Sequence, residues 1–536
     1  MKFDAVKTKI LLMAVYSPTM LLAYEEVGIC SIAAVLRQAG YEVRLIMQYE
    51  KNISYKEIVK FNPAVVGFTT YNANISEVNR VSNQLREFLP NALLCLGGNE
   101  ATLNGNCLLR DMRQIDFIII GEGERTFLNV VTAIDKNDDF SKIPGTIVRC
   151  GENIIHNGPA ELISDLDLLP PIARDFLLQN NIKVVQISSS RGCMGNCAFC
   201  ASNVFWRKWR GRSVKLVIDE IEDIYHKYKL DTFYFIDGSF EDPDPNCSRM
   251  TEIAQEIINR RIPIYYMALF RADFCRKATP KLMELLKRSG LFTAFVGIEA
   301  ANKDDLKLYN KRNTVSDSHE SIKLFERYNI GLQIGFISTN PYSTTENVLA
   351  NIDFLEKYSY LNRFTTYEMY QGTSLHLKIC TDGLENKNKL LGYEYKDSNV
   401  EKTVNYINEY IDSRLELKIL YNDVNNIKNY MVFIFPQILS RCEKNEYWNV
   451  QPMLDQYKKE QCTLLAQINS IIGKWMKSAL YFSKSFIEFQ NHSDVYWSGS
   501  DIGDKVQKMK NKTNHFNREL AHMNLPFIER LQNFVI

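Results

Sequence analysis

The sequence predicts an α/β protein in three parts: an N-terminal doubly wound parallel sheet, an incomplete parallel barrel of six βα units, and a C-terminal α-helical subdomain. Three observations carry this expectation. Short apolar runs alternate with helical patterns from Thr8 to about Lys136. The alternation resumes after a connector marked by Gly and Pro, and beyond about Asp382 only long amphipathic stretches rich in Tyr, Asn, Lys and Glu remain. A length of 536 residues suits three or four domains at roughly 150 residues each. With 46% apolar and 12% aromatic residues the chain is neither disordered nor collagen-like. Lysine plus arginine number 64 and aspartate plus glutamate 63, so the formal charge of +1 offers no global attraction for a polyanion.

In the first part, runs 9–16, 41–47, 64–70, 92–97 and 116–120 read as strands, and 29–38 and 77–88 carry apolar residues at three- and four-residue spacing. Gly40 follows the first helix where a C-cap belongs. In open α/β sheets ligands bind beyond the carboxyl strand ends. That rule points to four loops: Ser17-Pro18-Thr19, Thr69-Thr70-Tyr71-Asn72, Gly97-Gly98-Asn99 and Gly121-Glu122-Gly123-Glu124. The first part spans 1–140 and a connector 141–181, in which 145–159 reads as a hairpin and Pro170-Pro171 as an extended segment.

The barrel spans 182–381, with strands expected at 184–188, 232–237, 263–270, 293–299, 332–338 and 363–369 and helices such as 217–228 and 282–288 between them. Its chemistry belongs at the carboxyl strand ends. The tail spans 382–536, with helices expected at 404–421 and 461–489, and the basic run 508–512 reads as a solvated face. No apolar run approaches the ~20 residues that cross a bilayer, and the N-terminus reads as a first strand rather than a signal peptide, so a reducing cytoplasm is expected. There, clustered cysteines more often bind metal or catalyse than form disulfides.

Three of the 12 cysteines fall within Arg191-Gly192-Cys193-Met194-Gly195-Asn196-Cys197-Ala198-Phe199-Cys200, directly after the first barrel strand. Three thiolates on one loop can hold three irons of a cubane and leave the fourth open to a ligand. Gly192 and Gly195 let the loop wrap, and Phe199 offers an apolar face. The competing reading is a structural zinc knuckle, for which Cys247 or Cys275 would be the fourth ligand.

The spacing Cys-x3-Cys-x2-Cys, with an aromatic before the last cysteine, resembles the radical S-adenosylmethionine (SAM) superfamily. That resemblance implies a four-iron four-sulfur cluster at Cys193, Cys197 and Cys200 that reductively splits SAM to a 5′-deoxyadenosyl radical. It also places SAM beside Phe199, Asp237, Ser239, Arg271, Glu299 and Ile334. Asp237-Gly238-Ser239-Phe240 departs from the usual glycine-glycine-glutamate at its position. The first part, with Gly67-Phe68-Thr69-Thr70, Leu96-Gly97-Gly98-Asn99-Glu100 and Ile120-Gly121-Glu122-Gly123-Glu124, resembles the cobalamin-binding class of the same superfamily. It implies corrinoid contacts from Thr69, Thr70, Gly97, Gly98, Gly121 and Glu122. The resemblance covers residues 8–373, with two departures: the first histidine is His156, and Glu100 stands where relatives often have histidine.

The function implied is cobalamin-dependent methyl transfer to an unactivated carbon of a small-molecule or peptide natural product. The alternatives are radical ring closure, bond formation or epimerisation without methyl transfer, and a non-enzymatic iron–sulfur or corrinoid sensor. The expected partners are that substrate and an external electron donor such as flavodoxin or ferredoxin, with no membrane and no nucleic acid. The segment 205–213, which interleaves cations and aromatics, reads as a structural loop, with Ser213 capping the next helix. No general base is assigned; Tyr367, Glu368 and Tyr370 are candidates by position near the sixth strand.

Overall fold

The computed structural model describes residues 8–17, 24–179, 182–360, 364–387, 391–444, 450–480 and 486–523. Of the expected strand-end loops, Pro18 and Thr19 lie outside these residues. The chain divides into two compact units: 1–194 with 200–238 and 370–373, and 195–199 with 239–369 and 374–536.

The first unit is built on a seven-stranded sheet: β1 (Lys9–Tyr16), β2 (Glu42–Tyr49), β3 (Val65–Thr69), β4 (Leu93–Gly97), β5 (Phe117–Ile119), β6 (Thr146–Cys150) and β7 (Asn153–His156). Their order is β2-β1-β3-β4-β5-β6-β7. The first five strands are parallel. Helices α1 (Val27–Gln38), α2 (Tyr55–Phe61), α3 (Ile75–Phe88), α4 (Asn99–Asp111) and α5 (Gly123–Lys136) alternate with them. Ile10 to Tyr16 are all buried, as a central strand covered on both faces requires. Helix α1 ends where expected: Gly40, at φ +86°, donates to the Arg37 carbonyl and Tyr41 to that of Leu36. The predicted hairpin is no free connector. β6 pairs antiparallel with β5, from Phe117↔Val148 to Ile119↔Thr146, and extends the sheet edge.

Further along this unit, after the short helix α6 (Phe176–Gln179), β8 (Val185–Ile187) leads into β9 (Ser190–Arg191). β9 pairs antiparallel with β10 (Arg210–Gly211), on the far side of the cysteine loop and α7 (Ser202–Phe205). Helix α8 (Val214–Tyr228) follows, its N-terminus capped by the Ser213 hydroxyl accepting from the Leu216 N–H. It leads to β11 (Thr232–Phe235), parallel to β8.

In the second unit, α9 (Ser248–Asn259), β12 (Tyr265–Arg271), α10 (Pro280–Ser289), β13 (Leu291–Glu299), α11 (Lys303–Leu308), α12 (Val315–Arg327), β14 (Gly331–Phe336) and α13 (Thr345–Lys357) continue the βα pattern. β12, β13 and β14 are parallel. The sixth expected strand, whose Arg363 lies outside the described residues, is reduced to one parallel bridge, Thr366↔Thr339. Its buried side chains, Phe364 and Tyr367, are three residues apart, a spacing that does not sustain a strand.

Helices α14 (Ser374–Thr381), α15 (Ser398–Ser413), α16 (Leu415–Asn429), α17 (Phe435–Lys444), α18 (Gln451–Ala479), α19 (Phe486–Ser498) and α20 (Ile502–His522) complete the unit. The helix expected at 404–421 is broken at Arg414, which is extended at φ −117°, ψ 103°. No Gly or Pro marks that break in the sequence. The one expected at 461–489 begins earlier, at Gln451, and ends at Ala479, with 481–485 outside the described residues. Trp475, Ile472 and Ile468 of α18 share one core with Val404, Tyr410 and Ile352. Among the described residues no helix is long and apolar enough to cross a membrane.

Candidate active site

The cysteine loop is set by two glycines and a carboxylate. Gly192 has φ +82°, and a Cβ there would run into the Lys208 carbonyl. A Cβ at Gly238 would lie 2.9 Å from the Gly192 carbonyl oxygen and 3.0 Å from Cβ of Cys193, so the end of β11 approaches the loop only because it is glycine. Asp237, 1% exposed, accepts from the hydroxyls of Ser189, at 2.8 Å, and Ser190, which fixes the chain entering the loop. Its carboxylate is thus engaged by the loop itself. Cys193, Cys197 and Cys200 are all partly buried, and no disulfide forms among the described residues.

The loop's middle segment rests on the residues that end α11. The Ala198 N–H donates to the Tyr309 carbonyl at 2.9 Å, Asn310 Nδ2 to the Asn196 carbonyl at 2.7 Å, and the Leu375 N–H to the Ala198 carbonyl at 2.8 Å. The Phe199 ring meets Tyr309 edge-on, with centroids 5.3 Å apart. Tyr309 is fixed in turn, because Asn340 Nδ2 donates to its hydroxyl at 2.9 Å and to Asp305 at 2.7 Å. Burial pushes the Asp305 carboxyl up against the pull of its amide donors Asn302, Asn340 and Asn351. Burial likewise raises the Cys197 thiol, opposed by the Lys311 charge. Three thiols on one loop match the donor set of a cubane that leaves one iron open.

At the later strand ends the polar groups are already partnered. Arg271 places Nη1 2.6 Å from Asp242, Nη2 3.4 Å from Glu241 and Nε 3.4 Å from Asp273. Ser239, buried, lies beside Glu241. Glu299 ends β13 at φ +71°, a left-handed conformation for a non-glycine residue, with Lys311 at 3.6 Å. A Cβ at Gly297 would lie 2.6 Å from its Oε1, so that glycine makes room for the carboxylate. Ile334 packs on the same core cluster as Phe199. Of the three positional candidates, Tyr367 is 1% exposed with its ring against Tyr393, Glu368 is exposed, and Tyr370 is partly buried at the turn closed by Thr373.

The carboxyl ends of β3, β4 and β5, with Leu12 of β1 and the first turn of α1, surround a cavity of about 310 Å³. It lies at the β1/β3 topological switch point of the sheet. Thr69, Gly97, Gly98, Gly121 and Glu122 line it. Thr70 stands behind them, accepting from the Ala101 N–H and donating to the Gly97 carbonyl at 2.8 Å. A Cβ would meet nothing within 4 Å at Gly28 or Gly121, and only the Ile119 carbonyl oxygen, at 3.9 Å, at Gly97. These backbone-lined spaces can take the tail of a large planar ligand close to the main chain. Tyr71, from the expected loop 69–72, and Glu26, which no sequence pattern marks, also line the cavity, with the Tyr71 hydroxyl donating to Glu26 at 2.5 Å. Among the described lining residues there is no histidine. Gln186, Ser188, Arg191, Phe205 and Trp206 contribute a wall, so the chain on both sides of the cysteine loop borders this cavity.

A buried ionic frame holds that wall. Arg191 pairs with Glu122 at 2.7 Å and Glu124 at 2.5 Å, Arg210 with Glu122 at 2.7 Å, and the Ser31 hydroxyl donates to Glu124 at 2.7 Å. Burial alone would raise Glu124, but the Arg191 charge and hydrogen bonds hold it below its ordinary value. Arg174, in the connector, bonds Glu25 and, at 2.6 Å, Glu220, which also takes Arg212 at 2.6 Å. The basic segment 205–213 is therefore structural: Arg207 donates to the Ala160 carbonyl, and the Arg191 guanidinium lies 5.4 Å from the Trp206 ring centroid. Arg191 was legible as part of the cysteine motif. Its partners, 67 and 69 residues away, were not.

Fold and site together define an enzyme with a three-thiolate cluster loop and a glycine-lined cavity at the carboxyl ends of parallel strands. A B12-binding domain model matches residues 19–131 and a radical SAM superfamily model residues 187–355. An anaerobic magnesium-protoporphyrin IX monomethyl ester cyclase from Synechocystis is 30% identical over 362 residues, covering 65% of this chain and 70% of that protein. An uncharacterised methyltransferase from Pyrococcus horikoshii is 27% identical over 359 residues, 65% of this chain and 77% of that protein. Among solved structures, the cobalamin-dependent SAM radical enzyme OxsB, with aqua-cobalamin bound, superposes with a TM-score of 0.69 at 16% identity, covering 99% of this chain and 83% of that one. The chain belongs to the radical SAM superfamily, in the branch that carries a B12-binding domain. The cofactors of that branch are a four-iron four-sulfur cluster, SAM and cobalamin.

Proposed function

We propose that this protein transfers a methyl group to an unactivated carbon of a small molecule, with residues 1–140 as the corrinoid domain, 182–381 as the SAM barrel and 382–536 shaping the substrate side. When bound, the cluster supplies the electron that splits SAM to methionine and a 5′-deoxyadenosyl radical, and cobalamin supplies the methyl carrier. Cys193, Cys197 and Cys200 would hold the cluster. Phe199, braced by Tyr309, gives an apolar face beside it. Asp237 and the glycines at 192 and 238 shape the loop, and Ser239, Arg271, Glu299 and Ile334 line the approach of SAM. Thr69, Gly97, Gly98 and Gly121 would receive the corrinoid against backbone, while Thr70 and Glu122 hold that wall in place.

The observation that carries this reading is the shared wall: residues immediately flanking the cysteine loop border the glycine-lined cavity. A ligand there lies next to the chain that holds the cluster, as transfer between the two cofactors requires. The balanced charge favours a small-molecule or peptide substrate over nucleic acid. A soluble electron donor, such as flavodoxin or ferredoxin, and a reducing cytoplasm complete the proposal.

A second reading, radical ring closure without methyl transfer, is supported by likeness to a cyclase. Product analysis after anaerobic incubation with SAM, reductant and hydroxocobalamin separates the two. Methyl transfer yields S-adenosylhomocysteine together with 5′-deoxyadenosine, whereas ring closure yields 5′-deoxyadenosine alone.

A further inference from the structure

Among the described residues of the second unit, a set of soft and hard metal donors converges outside the cluster loop. His376 and Cys380 are four residues apart on α14, so they share one face of the helix. The helix then closes on Gly383, at φ +70°, with the Gly383 N–H donating to the Cys380 carbonyl at 3.1 Å and the Leu384 N–H to the Ile379 carbonyl at 3.0 Å. That turn brings Glu385, bridged to Tyr393, back beside the same face. Nε2 of His376 lies 3.4 Å from Sγ of Cys380, and one donor atom from each of the three residues falls within 4.8 Å of the others.

We propose that His376, Cys380 and Glu385 bind a single zinc-class divalent cation, with water or an exogenous ligand in the fourth position. The donor set and its spacing support this. Zinc takes imidazole nitrogen at about 2.0 Å and thiolate sulfur at about 2.3 Å, and tetrahedral geometry then sets the two donors about 3.5 Å apart. The observed separation already matches. One thiolate and one carboxylate balance a divalent charge, and a mixed nitrogen, sulfur and oxygen set suits zinc better than magnesium or calcium. Lys378, on the same helix, is directed to Asp382 at 2.9 Å and does not occupy the donors. His376 and Cys380 are only partly buried and Glu385 is exposed, so an ion can enter without unfolding the helix. The residue preceding His376 is Leu375, whose N–H holds the Ala198 carbonyl in the cysteine loop, so the ion would anchor a helix that supports that loop.

The test is zinc K-edge X-ray absorption with metal analysis on the full chain, reconstituted with its cluster and supplied with zinc. The expected result is one zinc per chain with a single sulfur neighbour near 2.3 Å and nitrogen or oxygen near 2.0 Å. In Cys380→Ser the sulfur shell disappears and zinc content falls about tenfold or more. Glu385→Gln, at an exposed position, retains the wild-type thermal unfolding but loses zinc to a competing chelator about tenfold more readily. Three overturning outcomes are distinct: zinc only at background, as an adventitious ion would be; zinc with two or more sulfur neighbours, which would place it in the cysteine loop; or zinc content unchanged in both Cys380→Ser and His376→Ala.

Discussion

The carbonyl of Tyr309 accepts the N–H of Ala198, the residue directly after the second cysteine of the cluster loop, at 2.9 Å. Residues on opposite sides of 110 positions of sequence thus set the path of the loop, and Asn310 repeats the contact on Asn196. Asn310 sits at φ +53°, so Asn310→Gly keeps the left-handed backbone, removes an exposed side-chain donor and leaves the core untouched. Its thermal unfolding should stay near wild type while an iron chelator strips the cluster several-fold faster. Tyr309→Phe leaves Asn340 short of a buried acceptor and should cost about 1–3 kcal/mol, read by denaturant unfolding.

Arg191 neutralises two buried carboxylates, Glu122 and Glu124. Arg191→Met leaves Glu124 without its cation, and removing one partner of a buried pair costs about 3–5 kcal/mol. The double variant Arg191→Met/Glu124→Gln should recover a large part of that loss. Equal instability of the single and double variants would mean that the frame contributes through packing alone.

Glu124 also predicts a pH dependence. Its folded-state pKa lies below the ordinary 4.5, because the Arg191 interactions outweigh burial. A depressed carboxylate adds stability above its unfolded value, and that stability is lost as pH falls through the folded value. The stability gap between wild type and Glu124→Gln should therefore be constant near neutrality and narrow as pH drops below about 4.5. A gap that widens in acid would reverse the sign of the argument.

Two neighbouring glycines separate space from strain. A Cβ at Gly97 would face the open cavity, so Gly97→Val should fold normally and lose corrinoid binding, measured by the visible spectrum after reconstitution with hydroxocobalamin. Gly98 has φ +93°, and a Cβ there would lie 2.9 Å from the Thr70 carbonyl oxygen. Gly98→Ala should lower stability as well as binding.

Much of this was legible in the sequence, for reasons that show where such legibility stops. Strands β1, β3, β4 and β5 are apolar runs and β2 alternates buried with exposed residues, while the cysteine motif and the glycine loops are local patterns. The hairpin was visible at 145–159, but its attachment to β5 depends on pairing that no local signal encodes. The break at Arg414 is likewise set by packing rather than by a Gly or Pro. The strand-end places of Asp237 and Arg271, which mark them as candidate SAM contacts, are legible locally. Their protein partners are not legible: Asp237 accepts from Ser189 and Ser190 and Arg271 pairs with Glu241, Asp242 and Asp273, residues two to 48 positions away. The loop that carries Tyr71 is legible as a strand end, but Glu26 belongs to no motif, and its pairing with a tyrosine 45 residues away exists only in the fold.

Cys193, Cys197 and Cys200 are assigned to a cluster that opens SAM. The most direct test is 5′-deoxyadenosine formation by the anaerobically reconstituted protein given SAM and a reductant, beside the Cys193→Ala/Cys197→Ala/Cys200→Ala variant. The wild-type protein should release 5′-deoxyadenosine, and the variant should release none and lack the broad absorption near ~400 nm of thiolate-bound iron–sulfur. Equal 5′-deoxyadenosine from both proteins, or none from a fully iron-loaded wild type, would contradict the central assignment.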